Sequence, residues 1–162
     1  MGVRNRHTEG NCPYFVTTVT KGRQPIFQHE ELAALLCDVI RYCRTRYGFL
    51  VLSYAVMPDH FHTIIVPRPP DTISQVMRYI KGRFSRLYNA HREVDGAVWQ
   101  ARFHDAAVRS ERELWARIEY IEQNPVEAGL ADEAKHYRFS SAFSDDRTDV
   151  ERYFSGSWLS DE

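Results

Sequence analysis

The chain has 162 residues, of which 43% are hydrophobic and 27% charged, a balance typical of one globular domain with an adequate core. No apolar run reaches the roughly 18–20 residues of a membrane span, and residues 1–11 lack the apolar region of a signal peptide. The three cysteines form no disulfide or zinc framework. These features together favour a cytoplasmic protein. The formal net charge of −1 argues against a nucleic-acid partner, but the charges are unevenly distributed along the chain.

The first part of the chain predicts a strand, a helix and a β-hairpin. Residues 13–20 (PYFVTTVT) are rich in aromatic and β-branched side chains, which favour a strand. Residues 29–48 carry apolar side chains at the i, i+3, i+4 spacing of an amphipathic helix, which ends at a glycine. Residues 49–57 and 61–67 are two further apolar strands, and the Pro-Asp pair between them predicts a hairpin.

The next segment predicts a long basic helix. Asp71 or Thr72 would cap a helix of about 18 residues. Residues 68–92 hold six cations and one anion, and the local potential rather than the net charge determines how a polyanion responds. The expected buried stripe consists of Ile73, Val76, Met77, Ile80, Phe84 and Leu87. The cations fall largely outside that stripe, where a basic face is by default solvated. In a DNA-binding protein they would contact phosphates, and the candidates are Arg78, Lys81, Arg83 and Arg86, with Arg102 further along the chain.

The remaining elements complete an α+β pattern. A fourth strand is predicted around Val98–Val108, and a third helix from about Glu111 to Gln123, ended by Pro125. The order β-α-β-β-α-β with an appended helix is the ferredoxin-like split βαβ, an antiparallel sheet with both core helices on one face. We assign residues 1–130 to this single domain and residues 131–162, where acidic residues predominate, to an irregular C-terminal extension.

Two histidines stand at alternate positions of the third predicted strand, in MPDHFHTIIV (residues 57–66). Alternate side chains of a strand point to one face, so His60 and His62 would lie side by side while Phe61 points to the other face. Neutral imidazole is a common ligand of borderline metals. The pair is therefore a candidate metal site, although two ordinary strand histidines would give the same pattern.

The third helix carries a tyrosine away from its buried stripe. At about 100° per residue, Tyr120 and Asn124 lie one turn apart on a shoulder of the stripe formed by Leu114, Ile118 and Ile121. A tyrosine there is a candidate for chemistry or a residue at the edge of the core. Asn124 is a candidate ligand or a cap that ends the helix before a proline.

Three motifs in this order resemble the single-tyrosine HUH transposases, which include the REP-associated tyrosine transposases and insertion-sequence transposases of the IS200-like type. The motifs are MPDHFH (residues 57–62), WQARFHD (residues 99–105) and YIEQNPVEAGL (residues 120–130). His60-Phe61-His62 supplies the His–hydrophobe–His signature of that family. The resemblance extends from about residue 14 to residue 130.

The resemblance implies a metal-dependent transesterase that cleaves and rejoins single-stranded DNA near hairpins through a 5′-phosphotyrosine. Tyr120 would be the nucleophile, and His60 and His62 would bind Mg²⁺ or Mn²⁺. Asn124 would be the third ligand, with Gln123 as the fallback. The insertion-sequence branch usually carries glutamine at this position, so asparagine fits the REP-associated branch better. The resemblance also favours a monomer over a dimer, with a single-stranded DNA hairpin as partner in a nucleoid-associated cytoplasmic protein.

Three other functions remain compatible with the sequence. A domesticated relative would keep the fold and the basic face but only bind DNA or RNA as a regulator. A metal hydrolase would hold the ion with Asp59, His60 and His62 and use water as nucleophile, leaving no protein–DNA adduct. A two-histidine phosphoesterase of similar fold would need two separated His-x-Ser/Thr pairs on strands, and the sequence contains none.

Overall fold

The computed structural model describes residues 12–143 and 148–159. The prediction that residues 1–11 are not a signal peptide therefore concerns residues outside the described part, as do four of the acidic residues of the C-terminal extension. Among the described residues, no helix combines the length and the apolar character that a membrane crossing requires.

A four-stranded antiparallel sheet forms the centre of the described part. The strands are β1 (Tyr14–Val19), β2 (Leu50–Met57), β3 (His60–Val66) and β4 (His104–Ala107); the helices are α1 (Glu30–Tyr47), α2 (Ile73–Arg92), α3 (Glu111–Glu127) and α4 (Val150–Ser155). The strand order is β2-β3-β1-β4, and every neighbouring pair is antiparallel. The predicted ferredoxin-like α+β arrangement is thereby confirmed.

Helices α1 and α2 cover one face of the sheet. Val16 of β1 and Phe61 and Ile65 of β3 point to this face and belong to one buried cluster with Leu36 of α1 and Ile80 of α2. Alternation along β3 places Phe61 and Ile65 on this side and the histidines on the other. The prediction that both core helices share a face is confirmed.

The boundaries of these helices follow the predicted signals, with one error in the buried stripe. Gly48 ends α1 in the left-handed region, at φ 75°, and Thr72 caps α2 with its side chain. Leu87 is 38% exposed, so its assignment to the buried stripe is wrong. At this turn Tyr88 contacts the core instead, with its ring centre 5.9 Å from that of Phe84.

Helix α3 packs on the opposite face of the sheet. Its buried residues Leu114, Ile118 and Ile121 belong to a second cluster with Ile64 and Val66 of β3. Burying three residues of one helical stripe fixes the rotation of α3 about its axis. The side chains next to the stripe are thereby held above the sheet.

Pro125 does not end α3 as predicted. The helix continues to Glu127 with Pro125 buried in its last turn. Proline removes one backbone N–H, but the Ala128 N–H donates to the Asn124 carbonyl at 3.0 Å and the Leu130 N–H donates to the Pro125 carbonyl at 2.8 Å. Asn124 is therefore a helical residue, and its alternative interpretation as a cap is wrong.

Strand β4 is shorter than the predicted Val98–Val108. Residues 100–103 are not part of the strand, and Trp99 makes an isolated bridge to Thr20. The Trp99 ring packs into the α1–α2 core, with centres 5.5 Å from Phe61 and 5.3 Å from Phe84. Because the indole is anchored there, residues 100–103 form a loop that leads from the α2 side to the start of β4.

The described part of the C-terminal extension follows the outer edge of β2. The Val56 N–H donates to the Phe139 carbonyl at 2.9 Å, and the Asp149 N–H donates to the Val51 carbonyl at 2.8 Å. The Asp149 side chain is fully buried and forms an ion pair with Arg44 of α1. The segment was predicted to be irregular but contains α4. Its backbone hydrogen bonds also occupy part of the outer edge of β2.

Candidate active site

His60 and His62 lie side by side on the face of β3 that packs against α3. Their ring centres are 4.8 Å apart. His62 is buried and His60 is partly exposed. This is the arrangement that alternation along a strand predicts for residues two apart.

Both imidazoles are oriented through Nδ1. His62 Nδ1 lies 2.8 Å from Oγ1 of Thr17 on β1, and His60 Nδ1 lies 2.6 Å from Oδ1 of Asp59. The other carboxylate oxygen of Asp59 accepts a hydrogen bond from Arg23 at 3.3 Å. Each ring therefore retains Nε2 as the nitrogen available to a metal.

The electrostatics of the site keep His62 neutral and Asp59 ionised. Burial, reinforced by repulsion from His60, lowers the pKa of His62 to about 4, so this imidazole is neutral at pH 7. Partial burial raises the pKa of Asp59, but hydrogen bonds and charges from His60 and Arg23 outweigh it, and the net pKa lies below its usual range. Asp59 is thus a carboxylate that orients His60, with both oxygens engaged.

Helix α3 brings Tyr120 next to the histidines. Its ring centre lies 5.7 Å from that of His62 and 5.9 Å from that of Phe15 on β1. Phe15 also stacks on His62, with ring centres 5.6 Å apart. Tyr120 is 46% exposed, so one side of the phenol is open to a substrate. The structure thereby brings His60, His62 and Tyr120 into one cluster.

The candidate third ligands follow on the same helix. Asn124 is half-buried one turn after Tyr120, whereas Gln123 is exposed. Among the described residues, no group of three or more His, Cys, Asp or Glu side chains could hold a metal. Two imidazoles are ligands for borderline divalent metals, and an amide oxygen is a ligand for Mg²⁺ or Mn²⁺, so the residues present fit a divalent cation.

The cations selected on α2 lie on the other face of the sheet from this cluster. Arg78 and Lys81 line a groove of about 470 Å³, whose opposite wall includes Phe103. Lys81 is partly buried, which lowers its pKa, and it donates to the Gln100 carbonyl at 3.1 Å. The structure groups these cations with the loop before β4, not with Tyr120.

The remaining candidate cations differ in exposure. Arg83 stacks on Tyr42 of α1, with its guanidinium carbon 3.6 Å from the ring centre. Arg86 is exposed on α2, and Arg102 is exposed in the loop between Trp99 and β4. A phosphate chain could contact these guanidinium groups without displacing core side chains.

Sequence reasoning missed three neighbours of the site. Thr17 and Phe15 contact His62 from β1, and the guanidinium carbon of Arg117 on α3 lies 4.6 Å from the Phe15 ring centre. The β1 residues could be found only with the strand register, which pairs Thr17 with His62. Arg117 did carry a signal, because residues three apart on a helix lie on the same side, and Tyr120 is three residues further on.

Comparison with known proteins shows what the chain is similar to. The family model described as "Transposase IS200 like" matches residues 8–124. A Haemophilus influenzae protein with the provisional name REP-associated tyrosine transposase is 25% identical over 157 residues, covering 91% of this chain and 88% of the relative. An Escherichia coli REP-associated tyrosine transposase is 26% identical over 133 residues, covering 82% of this chain and 77% of the relative.

One solved structure supports the fold. It is described as a REP-associated tyrosine transposase bound to a REP hairpin, and it matches with a TM-score of 0.68 at 23% identity. The match covers 87% of this chain and 82% of that one. At this level of identity the likeness establishes the shared architecture.

Proposed function

The chain belongs to the IS200-like transposase family, and we propose that it cleaves and rejoins single-stranded DNA next to a hairpin, with Tyr120 as the nucleophile. The observation that carries this proposal is the cluster on the α3 face of the sheet. There the Tyr120 ring lies 5.7 Å from His62, which in turn lies 4.8 Å from His60. Relatives named as tyrosine transposases support the same role for the tyrosine.

The reaction needs only one nucleophile and one leaving group. The Tyr120 oxygen attacks the phosphorus, a 5′-phosphotyrosine bond forms, and the bond to the 3′-oxygen breaks. The phenol proton leaves Tyr120 and the departing strand end gains one as a 3′-hydroxyl. Attack by another 3′-hydroxyl reverses these steps and joins strands, so the chemistry conserves the phosphodiester bond energy and needs no nucleotide cofactor.

Three side chains would hold the metal. His60 and His62 would bind through Nε2 and Asn124 through its amide oxygen, with Gln123 as the fallback, and a bound Mg²⁺ or Mn²⁺ would polarise a non-bridging oxygen of the scissile phosphate. Thr17 and Asp59 orient the two rings. Burial keeps His62 neutral, so its Nε2 lone pair stays available near pH 7.

The basic face of α2 would hold the hairpin. A relative of the same fold binds a REP hairpin, and phosphate contacts from arginine and lysine dominate the affinity of such complexes. The loop of residues 97–103 joins the α2 groove to β4, so a strand passing Arg102 would reach the catalytic face around that edge of the sheet. The contacts on α2 would come from Arg78, Lys81, Arg83 and Arg86.

We propose that the protein acts as a monomer, and the pairing of one edge strand supports this. The C-terminal extension pairs with β2 at Val51, Ala55 and Val56, so this edge is occupied within the chain. An occupied edge strand cannot add the strand of a second copy. This excludes association through β2, one of the two edge strands, and so supports the proposed monomer, which would act on DNA at the nucleoid.

Adduct formation tests the proposal. The protein is mixed with Mg²⁺ or Mn²⁺ and end-labelled single-stranded hairpins from the DNA flanking its own gene, and a denaturing gel resolves covalent protein–DNA bands. Wild type should form an adduct that Tyr120→Phe, His60→Ala and EDTA abolish. Tyr42→Phe is the matched control, because Tyr42 is 47% exposed on α1 and phenylalanine keeps the ring that Arg83 contacts, so the adduct should be unchanged.

The other outcomes identify the alternatives. Cleavage that leaves no adduct and survives in Tyr120→Phe would identify a hydrolase that uses water. Hairpin binding without cleavage of any substrate would identify a DNA-binding regulator.

A further inference from the structure

Arg117 lies beside the catalytic cluster but outside the proposed set of metal ligands and nucleophile. It precedes Tyr120 by three residues on α3 and is half-buried. Its guanidinium carbon lies 4.6 Å from the ring centre of Phe15. The same ring contacts both His62 and Tyr120, at 5.6 and 5.9 Å between centres. Phe15 is thus the common neighbour of the cation, the histidine and the tyrosine.

This guanidinium has no anionic partner in the part of the chain that the structure describes: no hydrogen bond or ion pair there engages it. The acid one turn earlier, Glu113, instead accepts a hydrogen bond from the Arg109 N–H at 3.1 Å. A guanidinium held over the face of an aromatic ring by a cation–π contact uses none of its N–H donors in that contact. Among the described residues, the N–H donors of Arg117 on the catalytic face are therefore available to an anion. Because the side chain is half-buried, binding an anion there would be stabilised more strongly than at a fully exposed cation.

We propose that Arg117 binds the phosphodiester that Tyr120 attacks or the adjacent phosphodiester of the single strand. This inference rests on the proposed function. The planar fork of arginine matches two non-bridging phosphate oxygens and holds them in a defined orientation. The cation–π contact with Phe15 restricts the side chain before the DNA arrives, so less side-chain entropy is lost on binding. A fixed positive charge there offsets the charge that develops on phosphate oxygens during attack.

His104 provides a second polar group on the same side of the site. In the sheet register Thr17 pairs with His62 on one side and with His104 on the other. Directly opposed residues of an antiparallel sheet share a face, so His104 stands on the catalytic face beyond Thr17. It is exposed at the β4 edge, where a strand coming from the α2 side would arrive. His104, Thr17 and the Phe15 ring that Arg117 contacts therefore lie on the same face of two adjacent strands.

The test compares Arg117→Gln and Arg117→Lys with wild type, and uses Arg112→Gln as the matched control, since Arg112 is exposed in the first turn of α3. Adduct formation is timed at saturating hairpin DNA. We expect Arg117→Gln to slow it on the order of 100-fold, the usual effect of losing one donor to a developing charge. Arg117→Lys should recover part of the rate, and Arg112→Gln should match wild type.

Single neutral methylphosphonate linkages at and around the cleavage site then identify the contacted phosphate. At one position the neutral linkage should slow adduct formation by the wild-type protein. At the same position it should cause no further slowing in Arg117→Gln, because the variant has already lost the contact. A second readout is binding of a short hairpin-free strand in EDTA, where Arg117→Gln should reduce the salt dependence of log K by about 0.7.

Equal rates and equal methylphosphonate profiles in wild type and Arg117→Gln would overturn the inference while leaving adduct formation, and so the proposed function, intact. Absence of any wild-type adduct would instead overturn the proposed function. In that case, a salt dependence of strand binding that is the same in Arg117→Gln and wild type would reject the phosphate contact as well. The expected reduction would instead show that Arg117 contacts a phosphate when the strand is bound.

Discussion

Thr17 and His62 are direct partners across β1 and β3, and the Thr17 hydroxyl oxygen lies 2.8 Å from Nδ1 of His62. The contact selects the ring orientation in which Nε2 points away from β1. Asp59 plays the same part for His60, at 2.6 Å from its Nδ1. Each candidate ligand thus has its own orienting group, which is how histidines are usually held at metal sites.

Replacing Thr17 by valine tests this relationship. Valine keeps the shape but removes the hydroxyl, so Thr17→Val should weaken Mn²⁺ binding roughly 10- to 100-fold, as loss of an orienting partner does at metal sites. Calorimetric titration of the protein with Mn²⁺ measures the change. Thr18→Val is the control, because the buried Thr18 hydroxyl has no hydrogen-bond partner among the described residues. If Thr17→Val bound Mn²⁺ as tightly as Thr18→Val, the orienting role of Thr17 would be contradicted.

The third ligand can be assigned by comparing two neighbours on α3. Asn124→Ala should weaken Mn²⁺ binding and slow adduct formation, because the half-buried amide lies one turn after Tyr120. Gln123→Ala should change neither, since this side chain is exposed about 100° further round the helix. The reverse pattern in the same titration would establish Gln123 as the ligand.

Basic residues of α2 should affect DNA binding without affecting chemistry. Arg78 and Arg86 are exposed on the face of the sheet opposite to Tyr120. Arg78→Gln and Arg86→Gln should each weaken hairpin binding and lower the salt dependence of log K by about 1. The adduct rate at saturating DNA should match wild type. The control is Lys135→Gln, an exposed lysine that pairs with Glu133 in the C-terminal extension. A lower rate at saturation would mean that α2 also acts in the chemical step.

The buried ion pair of the C-terminal extension should contribute strongly to stability. Asp149 is fully buried, pairs with Arg44 and accepts a hydrogen bond from the Val51 N–H at 3.0 Å. Asp149→Ala leaves a partly buried arginine unpaired, so the free energy of unfolding should fall by about 3–5 kcal/mol. Urea denaturation measures it, with exposed Glu151→Ala expected to change stability by less than about 0.5 kcal/mol. A similar small loss for Asp149→Ala would show that the extension is only loosely attached.

The sequence by itself determined the elements and the candidate chemistry. Local periodicity is enough to place His60 and His62 on one face of a strand and to place Tyr120 on a shoulder of its helix, because both patterns depend on residues two to four apart. The order of elements likewise indicated a ferredoxin-like sheet, since few topologies accommodate it. Leu87 was misassigned because Tyr88 makes the core contact at that turn of α2, and Pro125 was misassigned because it is buried within the last turn of α3.

Only the tertiary structure decided which distant residues meet. Thr17 and His62 are 45 residues apart in the chain, and their contact depends on the register in which β1 pairs with β3. A shift of that register by one residue would turn Thr17 to the other face of the sheet. The position of Arg117 over Phe15 depends on how α3 is rotated against the sheet, which the burial of Leu114, Ile118 and Ile121 fixes. The tertiary structure also decided that α3 lies on the face opposite to α2, because the order of elements predicted a shared face for the two core helices but no face for the appended helix.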